Sequence, residues 1–259
     1  MKFILGFLLI VLFGNTANAQ FSETIRSSRP GQAAEPFSVG RHVFQLQTGL
    51  DAAGFNENKM NFSGSAFGHN TVFRFGFTDR FELNATYEFR RDGYEINDST
   101  YSTSGLSIGS IGSRINIYEG SGQIPAFGLD LSFKLPVLSE AYDSRYVAHN
   151  IVLIASNSIN DKLSWLLNLG TSYNGNDAKP TGIYVVNVGY ALSSKWGTFI
   201  ENYGNFTHGK YENRWDAGLA YAMNDNLQFD IYGGTGKNSG KFDYFTSIGL
   251  SWRTVSLRN

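Results

Sequence analysis

Phe81-Glu82-Leu83-Asn84-Ala85-Thr86-Tyr87-Glu88-Phe89 alternates apolar and polar side chains without a break. A period of two places one kind of residue on each face of an extended strand. Phe127-Gly128-Leu129-Asp130-Leu131-Ser132-Phe133-Lys134-Leu135 repeats the pattern, and so does Leu227-Gln228-Phe229-Asp230-Ile231. Helical spacing is hard to find anywhere after the first twenty residues. Working outward from these stretches, twelve strands are expected: 41–53, 67–77, 81–91, 104–118, 125–135, 145–158, 163–174, 181–192, 196–206, 211–223, 226–236 and 241–253.

The connections between them alternate in kind. Those at 78–80, 119–124, 159–162, 193–195 and 224–225 are short and polar. Those at 54–66, 92–103, 136–144, 175–180, 207–210 and 237–240 are mostly longer. Short turns at one end and longer loops at the other, around an even number of antiparallel strands, predict an all-β, transmembrane, up-and-down β-barrel of about 12 strands. The short turns then face the periplasm. Each strand can cross a bilayer, which takes about 9–11 tilted residues. Closure follows from the backbone, because in hydrocarbon every N–H and C=O needs a partner and an open edge has none. A soluble sandwich would use strands of about 5–6 residues and a charged outer face. Here the face opposite the apolar one is largely Gly, Ser, Asn and Thr.

Composition agrees. Of 259 residues, 21 are Lys or Arg and 22 are Asp or Glu, a net charge of −1 that offers nucleic acid no basic field. Charged residues are only 17% of the chain, against about 25% in soluble domains. The absence of cysteine excludes disulfides, thiolate metal sites and lipidated anchors. Met1-Lys2, the uncharged run 3–13 and Ala17-Asn18-Ala19 have the three parts of a cleaved export signal. The expected organisation is a signal peptide at 1–19, a periplasmic N-terminal segment at 20–40, a barrel at 41–253 and a tail at 254–259. The expected home is the outer membrane of a Gram-negative bacterium. Partners would be the lipid bilayer and the outer-membrane assembly machinery. Phe77, Phe81, Trp165, Trp196 and Trp252 lie near short turns or the chain end, where a periplasmic aromatic girdle belongs.

If the apolar parity meets lipid, the other parity lines the lumen. It includes Arg74, Glu82, Glu88, Arg114, Asp130, Lys134, Glu201, Arg214, Asp216, Gln228 and Asp230, with Gln45, Gln47, Asn84, Asn168 and Asp243 beside them. Both signs are present, so most of these charges are expected to pair and brace the wall. The same set would line a substrate path. Twelve strands fall between a side-chain-filled barrel of about eight and a water-filled one of about sixteen. His42, His69, His149 and His208 form no metal-binding or hydrolytic motif. The adjacent His149 and Asn150 would point to opposite faces of a strand. Gly234-Thr235-Gly236 opens no helix and is no phosphate loop. No enzyme activity, cofactor or metal is expected.

Arg29-Pro30-Gly31, Pro36, Val39-Gly40 and Phe44-Gln45-Leu46-Gln47-Thr48-Gly49 stand near the N-terminus. Glu201-Asn202-Tyr203-Gly204, Asp216-Ala217-Gly218, Asn226-Leu227-Gln228-Phe229-Asp230 and Gly234-Thr235-Gly236 follow in order. Together they resemble the MetA-pathway phenol-degradation family of outer-membrane proteins, often labelled transporters. Two positions depart from its pattern: Ser27-Ser28 precede Arg29-Pro30 where Thr-Asp is usual, and Gln47 stands where Glu is common. The resemblance implies an outer-membrane barrel for passive passage of small organic molecules, aromatic ones among them. The alternative is a structural or scaffold barrel with a closed lumen whose external loops bind partners. The family-like Arg29, Pro30 and Gly31 fall where no strand can form, since proline and glycine disfavour both helix and ladder. Residues 20–40 are therefore expected to fold back into the periplasmic mouth as a plug. Arg29 would pair there with Glu82, Glu201 or Asp230.

Overall fold

The computed structural model describes residues 24–57, 61–97, 99–135, 138–177, 179–207, 209–238 and 241–254. The expected leader at 1–19, His208 and the last five residues lie outside that set. Twelve strands form one closed antiparallel barrel in which each strand pairs with its sequence neighbours and β1 closes on β12. They are β1 (Phe44–Glu57), β2 (Phe62–Gly76), β3 (Phe81–Ile96), β4 (Ser99–Tyr118), β5 (Ala126–Lys134) and β6 (His149–Ser158). The second half is β7 (Leu163–Tyr173), β8 (Thr181–Ala191), β9 (Trp196–Thr207), β10 (Lys210–Asn224), β11 (Leu227–Asn238) and β12 (Lys241–Arg253). A 3-10 turn, Glu140–Tyr142, sits in the β5–β6 connection. Among the described residues no helix is long and apolar enough to cross a membrane.

The barrel is inside-out relative to a soluble domain. Its largest fully buried side chains include Gln45, Gln47, Glu82 and Glu201, while Leu153, Trp215 and Ile231 are exposed on the outer wall. That outer face is what hydrocarbon requires. Leu129 and Leu131 flank lumenal Asp130 and so point outward with Ile231. Toward the short-turn end, Phe77 packs near Phe81, Trp252 meets Phe44 edge-on and Trp196 lies against Tyr221.

The loops depart from expectation. Residues 54–66 and 92–103 were expected to be external loops, but the ladders continue through most of both. Pairing runs to Glu57↔Phe62 in β1–β2 and to Ile96↔Ser99 in β3–β4. Ser99-Thr100-Tyr101-Ser102-Thr103 is polar but rich in β-formers, and its polarity marks a wall rising into water rather than a break in the strand. The wall is therefore tall at β1–β4 and low at β5–β8, where strands are 9 to 11 residues long. The first strand starts at Phe44 rather than 41, after a turn with Gly40 and His42 at positive φ. β6 starts at His149 rather than 145, so residues 138–148 form a genuine connection.

The parity rule also fails on one wall. Asp130 pairs with Val152, Gly128 with Ile154, Ile154 with Asn168 and Asn168 with Val185. Directly paired residues share a face, so Val152, Ile154 and Val185 point into the lumen, and Ile154 is only 1% exposed. Uninterrupted apolar runs such as Ile151-Val152-Leu153-Ile154 contain no alternation to read.

Candidate functional site

The N-terminal segment occupies the short-turn half of the lumen. It enters where the Ile25 N–H donates to the Asp225 carbonyl in the β10–β11 turn (2.8 Å). Gln45 donates to the Arg26 carbonyl (2.9 Å), Gln47 to the Ser27 hydroxyl (3.0 Å), and Ser27 meets Ser251 (2.6 Å). The Arg26 guanidinium lies over the Phe37 ring, 4.1 Å from its centroid, tying the incoming limb to the outgoing one.

Arg29 is the most heavily bonded anchor. Its Nε and Nη2 both donate to Asp230 (3.2 and 3.1 Å), Nη2 also donates to Ser247 (2.7 Å), and Gln228 donates to the Arg29 carbonyl (2.8 Å). The guanidinium lies over Gly49 and Gly249, paired directly across β1–β12. A Cβ at either position would fall 2.5 Å from it, so the seat exists only because both wall residues lack side chains.

Gly31 turns the chain at φ 102°, a conformation L side chains avoid. A Cβ there would also strike the Glu201 carboxylate. The next two amides close on that carboxylate: Gln32 N–H donates to Oε2 (2.7 Å), Ala33 N–H to Oε1 (3.1 Å), and Asn187 Nδ2 adds a third bond (2.7 Å). Successive backbone N–H groups around one anion form a nest. Asn168 then treats Ala34 as a strand neighbour would, accepting from its N–H (2.7 Å) and donating to its carbonyl (3.0 Å). Asn116 donates to the Pro36 carbonyl (3.2 Å), and the Val39 N–H reaches Glu82 (2.8 Å) as the chain returns to the turn end.

The sequence-read lumenal residues all lie on the inner parity, and the fold sorts them into sets. Arg74 and Glu82 form a two-pronged ion pair (2.7 and 2.9 Å) whose side chains are 4% and 0% exposed. Arg114 pairs with Asp130 (2.8 Å) and also donates to Ser28 (3.3 Å). Arg214 pairs with Asp243 (2.9 Å). Asp216 stands opposite Glu201 across β9–β10. Glu88 accepts from Ser107 (2.6 Å) beside a register shift in β3–β4 and takes no part in holding the segment. Lys134 sits at the far end of β5 from the segment. Asn187 and Tyr232 were missed. Asn187 is enclosed in the run Val185-Val186-Asn187-Val188, and Tyr232, beneath Arg29 at 5.4 Å, shares the parity of Gln228 and Asp230, a signal that could have found it.

The segment does not fill the mouth. Beside it, toward β5–β8, lies a polar cavity of about 520 Å³ bounded by Arg26, Glu35, Ser156, Ser164 and Asn187. At the other end of the lumen the β5–β6 connection leans inward. The Tyr142 hydroxyl donates to Asp92 (2.9 Å), and burial, reinforced by that bond, pushes Tyr142 up to about 12. No group of three or more His, Cys, Asp or Glu side chains able to hold a metal occurs among the described residues.

Comparison with known proteins bears on this arrangement. The family model described as "Putative MetA-pathway of phenol degradation" matches residues 27–254. No curated protein sequence matches the chain. Among solved structures, an outer-membrane channel from Pseudomonas putida F1 aligns at a TM-score of 0.69 and 7% identity, covering 87% of this chain and 100% of that one. The translocator domain of the autotransporter NalP from Neisseria meningitidis aligns at 0.55 and 10% identity, covering 88% and 90%. The KdgM porin in complex with oligogalacturonate aligns at 0.53 and 11%, covering 80% and 99%. At these identities the likeness is one of fold.

Proposed function

Because the chain belongs to the MetA-pathway phenol-degradation family, we propose that it is an outer-membrane channel for passive passage of small organic molecules, gated by its own residues 24–40. The carrying observation is the construction of the mouth. A segment with no secondary structure is held by Asp230, Glu201, Asn168, Asn116 and Glu82, each from a different strand. An inert tail would have no use for lumenal carboxylates placed to receive its amides. Burying such groups is costly unless each is paired, and here the segment supplies partners. The polar cavity beside it leaves a narrow way past or a space into which it can shift.

Export would place the short turns in the periplasm, after removal of residues 1–19. Epitope tags inserted at residues 58–60 are then labelled on intact cells, and tags at Asp79 or Asp161 are not; the reverse pattern overturns this orientation. The deciding experiment for the gate deletes residues 21–36. Higher single-channel conductance and faster uptake of small solutes by a normally assembled barrel are expected. Unchanged permeability would reduce the segment to a brace. A closed scaffold barrel, favoured by the number of bonds holding the segment, predicts negligible conductance in the intact protein.

A further inference from the structure

The external end of the lumen breaks the barrel's own pattern. Most inner-parity positions on β1–β3 carry small or polar residues, yet near the outer rim three of them carry rings: Phe55, Phe62 and Tyr94. Phe55 and Phe62 meet edge-on at 4.8 Å, Phe62 and Tyr94 stack at 6.3 Å, and Phe55 lies 6.5 Å from Tyr94. Gly64 pairs directly with both Phe55 and Tyr94, and a Cβ on it would fall 2.4 Å from the Phe55 ring. The rings therefore sit where the wall has been cleared for them.

Charge is distributed unevenly around this cluster. Asp92 is already committed: Arg90 Nε donates to it at 2.8 Å and the Tyr142 hydroxyl at 2.9 Å, and its side chain is 6% exposed. The Arg90 guanidinium is 41% exposed and keeps donors unused by that bond. Lys241, from the start of β12, holds its Nζ 4.0 Å from the centre of the Phe55 ring. No carboxylate of the described residues lies within ion-pair distance of it. The cavity among these residues has a volume of about 340 Å³, within the range of about 300–1,000 Å³ for small-molecule sites. It offers ring faces and edges, the Lys241 ammonium and the unused donors of Arg90, whose charge Asp92 balances, so the lining carries one net positive charge.

We propose that this cavity is a binding site for small aromatic carboxylates. The ring of the ligand packs among Phe55, Phe62 and Tyr94, and its carboxylate meets Lys241 Nζ and the exposed edge of Arg90. A neutral aromatic would use only the rings. A small aliphatic acid would use only the cations. The combination selects a ligand carrying both, and it places that selection at the outer mouth, ahead of the gate. The site deepens the channel reading by naming a class of solute, and it rests on that reading for its use.

The test is equilibrium binding to the full-length barrel in detergent, by calorimetry, with benzoate, benzyl alcohol and acetate as probes. Benzoate should bind saturably and more tightly than either of the others. Lys241→Gln should weaken benzoate about tenfold, the scale of one charge-assisted hydrogen bond, and leave benzyl alcohol unchanged. Tyr94→Ala should weaken both aromatic probes. Barrel integrity of each variant is read from its circular dichroism and its heat-dependent gel mobility, and Lys241→Gln, half-buried at the start of β12, secures the test should Tyr94→Ala fail to assemble. Benzoate affinity equal to that of acetate, or unchanged by Lys241→Gln, overturns the proposal. Binding needs no passage, so unaltered permeability of the 21–36 deletion would remove the gate and leave this site standing. Lost benzoate binding with an intact deletion phenotype would do the reverse.

Discussion

The two ends of the lumen are built on opposite principles. At the turn end, ion pairs within the wall and bonds to the N-terminal segment fill the space, and the segment supplies partners to Glu82, Asn116, Asn168, Glu201 and Asp230. At the opposite end the wall is taller on β1–β4, rings replace small residues, and among the described residues no carboxylate pairs with Lys241. The contrast shows that a narrow barrel interior need not be uniform. One half spends its polar groups on holding the chain, and the other leaves rings, one cation and the spare donors of Arg90 to meet a solute. The difference is measurable, because removing one partner from a buried pair costs far more than removing a group at a wet rim.

The largest effect is therefore expected at the turn end. Arg74→Ala strands Glu82, whose side chain has no exposed surface, and should cost about 3–5 kcal/mol in denaturant unfolding from lipid or detergent. Lys241→Gln at the opposite end loses only a cation–ring contact, about 0.5–1 kcal/mol. Similar costs for the two would erase the distinction.

Leu131→Arg, on the lipid face, should cost about 2–4 kcal/mol near the bilayer midplane. The same substitution at lumenal Asn84 should be milder. It will not be mild at Asn168, which sequence reasoning groups with Asn84 but which is buried against Ala34 by two hydrogen bonds. Equal tolerance at Asn84 and Asn168 would mean the segment does not press on β7.

Glu201→Gln replaces the anion in the nest by a neutral group. Bonds to a charged acceptor are worth about 1.5–3 kcal/mol, so amide exchange at Gln32 and Ala33 should speed by roughly tenfold or more. Exchange at the far ends of β1–β4 should not change. Acceleration at both ends would argue for general loosening.

The smallest effect concerns the β5–β6 connection. Tyr142 is held neutral, its titration moved from 10.0 up to about 12. A raised pKa means the bond to Asp92 stabilises fully below pH 10.0 and is lost as pH climbs toward about 12. The phenolate absorbance difference between the protein and Tyr142→Phe should rise near the upper value. A rise near the lower one would show that the connection is not docked.

Alternation in Phe81–Phe89, Phe127–Leu135 and Leu227–Ile231, with regularly spaced turns, was enough to read antiparallel strands, their number and closure. Period-two burial is a local property, and hydrocarbon leaves no other way to satisfy the backbone. The lumenal set from Arg74 to Asp230 was legible for the same reason, as was the odd character of Arg29-Pro30-Gly31. Which acid each base meets was not legible. Asp230 and Arg29 are 201 positions apart, and only register around a closed barrel brings them together. The inward turn of Ile154 and Val185 was hidden because an unbroken apolar run has no phase of its own and inherits one from its neighbours. The glycine seat under Arg29 and the ring cluster around Gly64 are likewise products of pairing between strands. Sequence determined the wall of this protein; what stands inside it was decided by register, since strand pairing alone sets which distant side chains share the lumen.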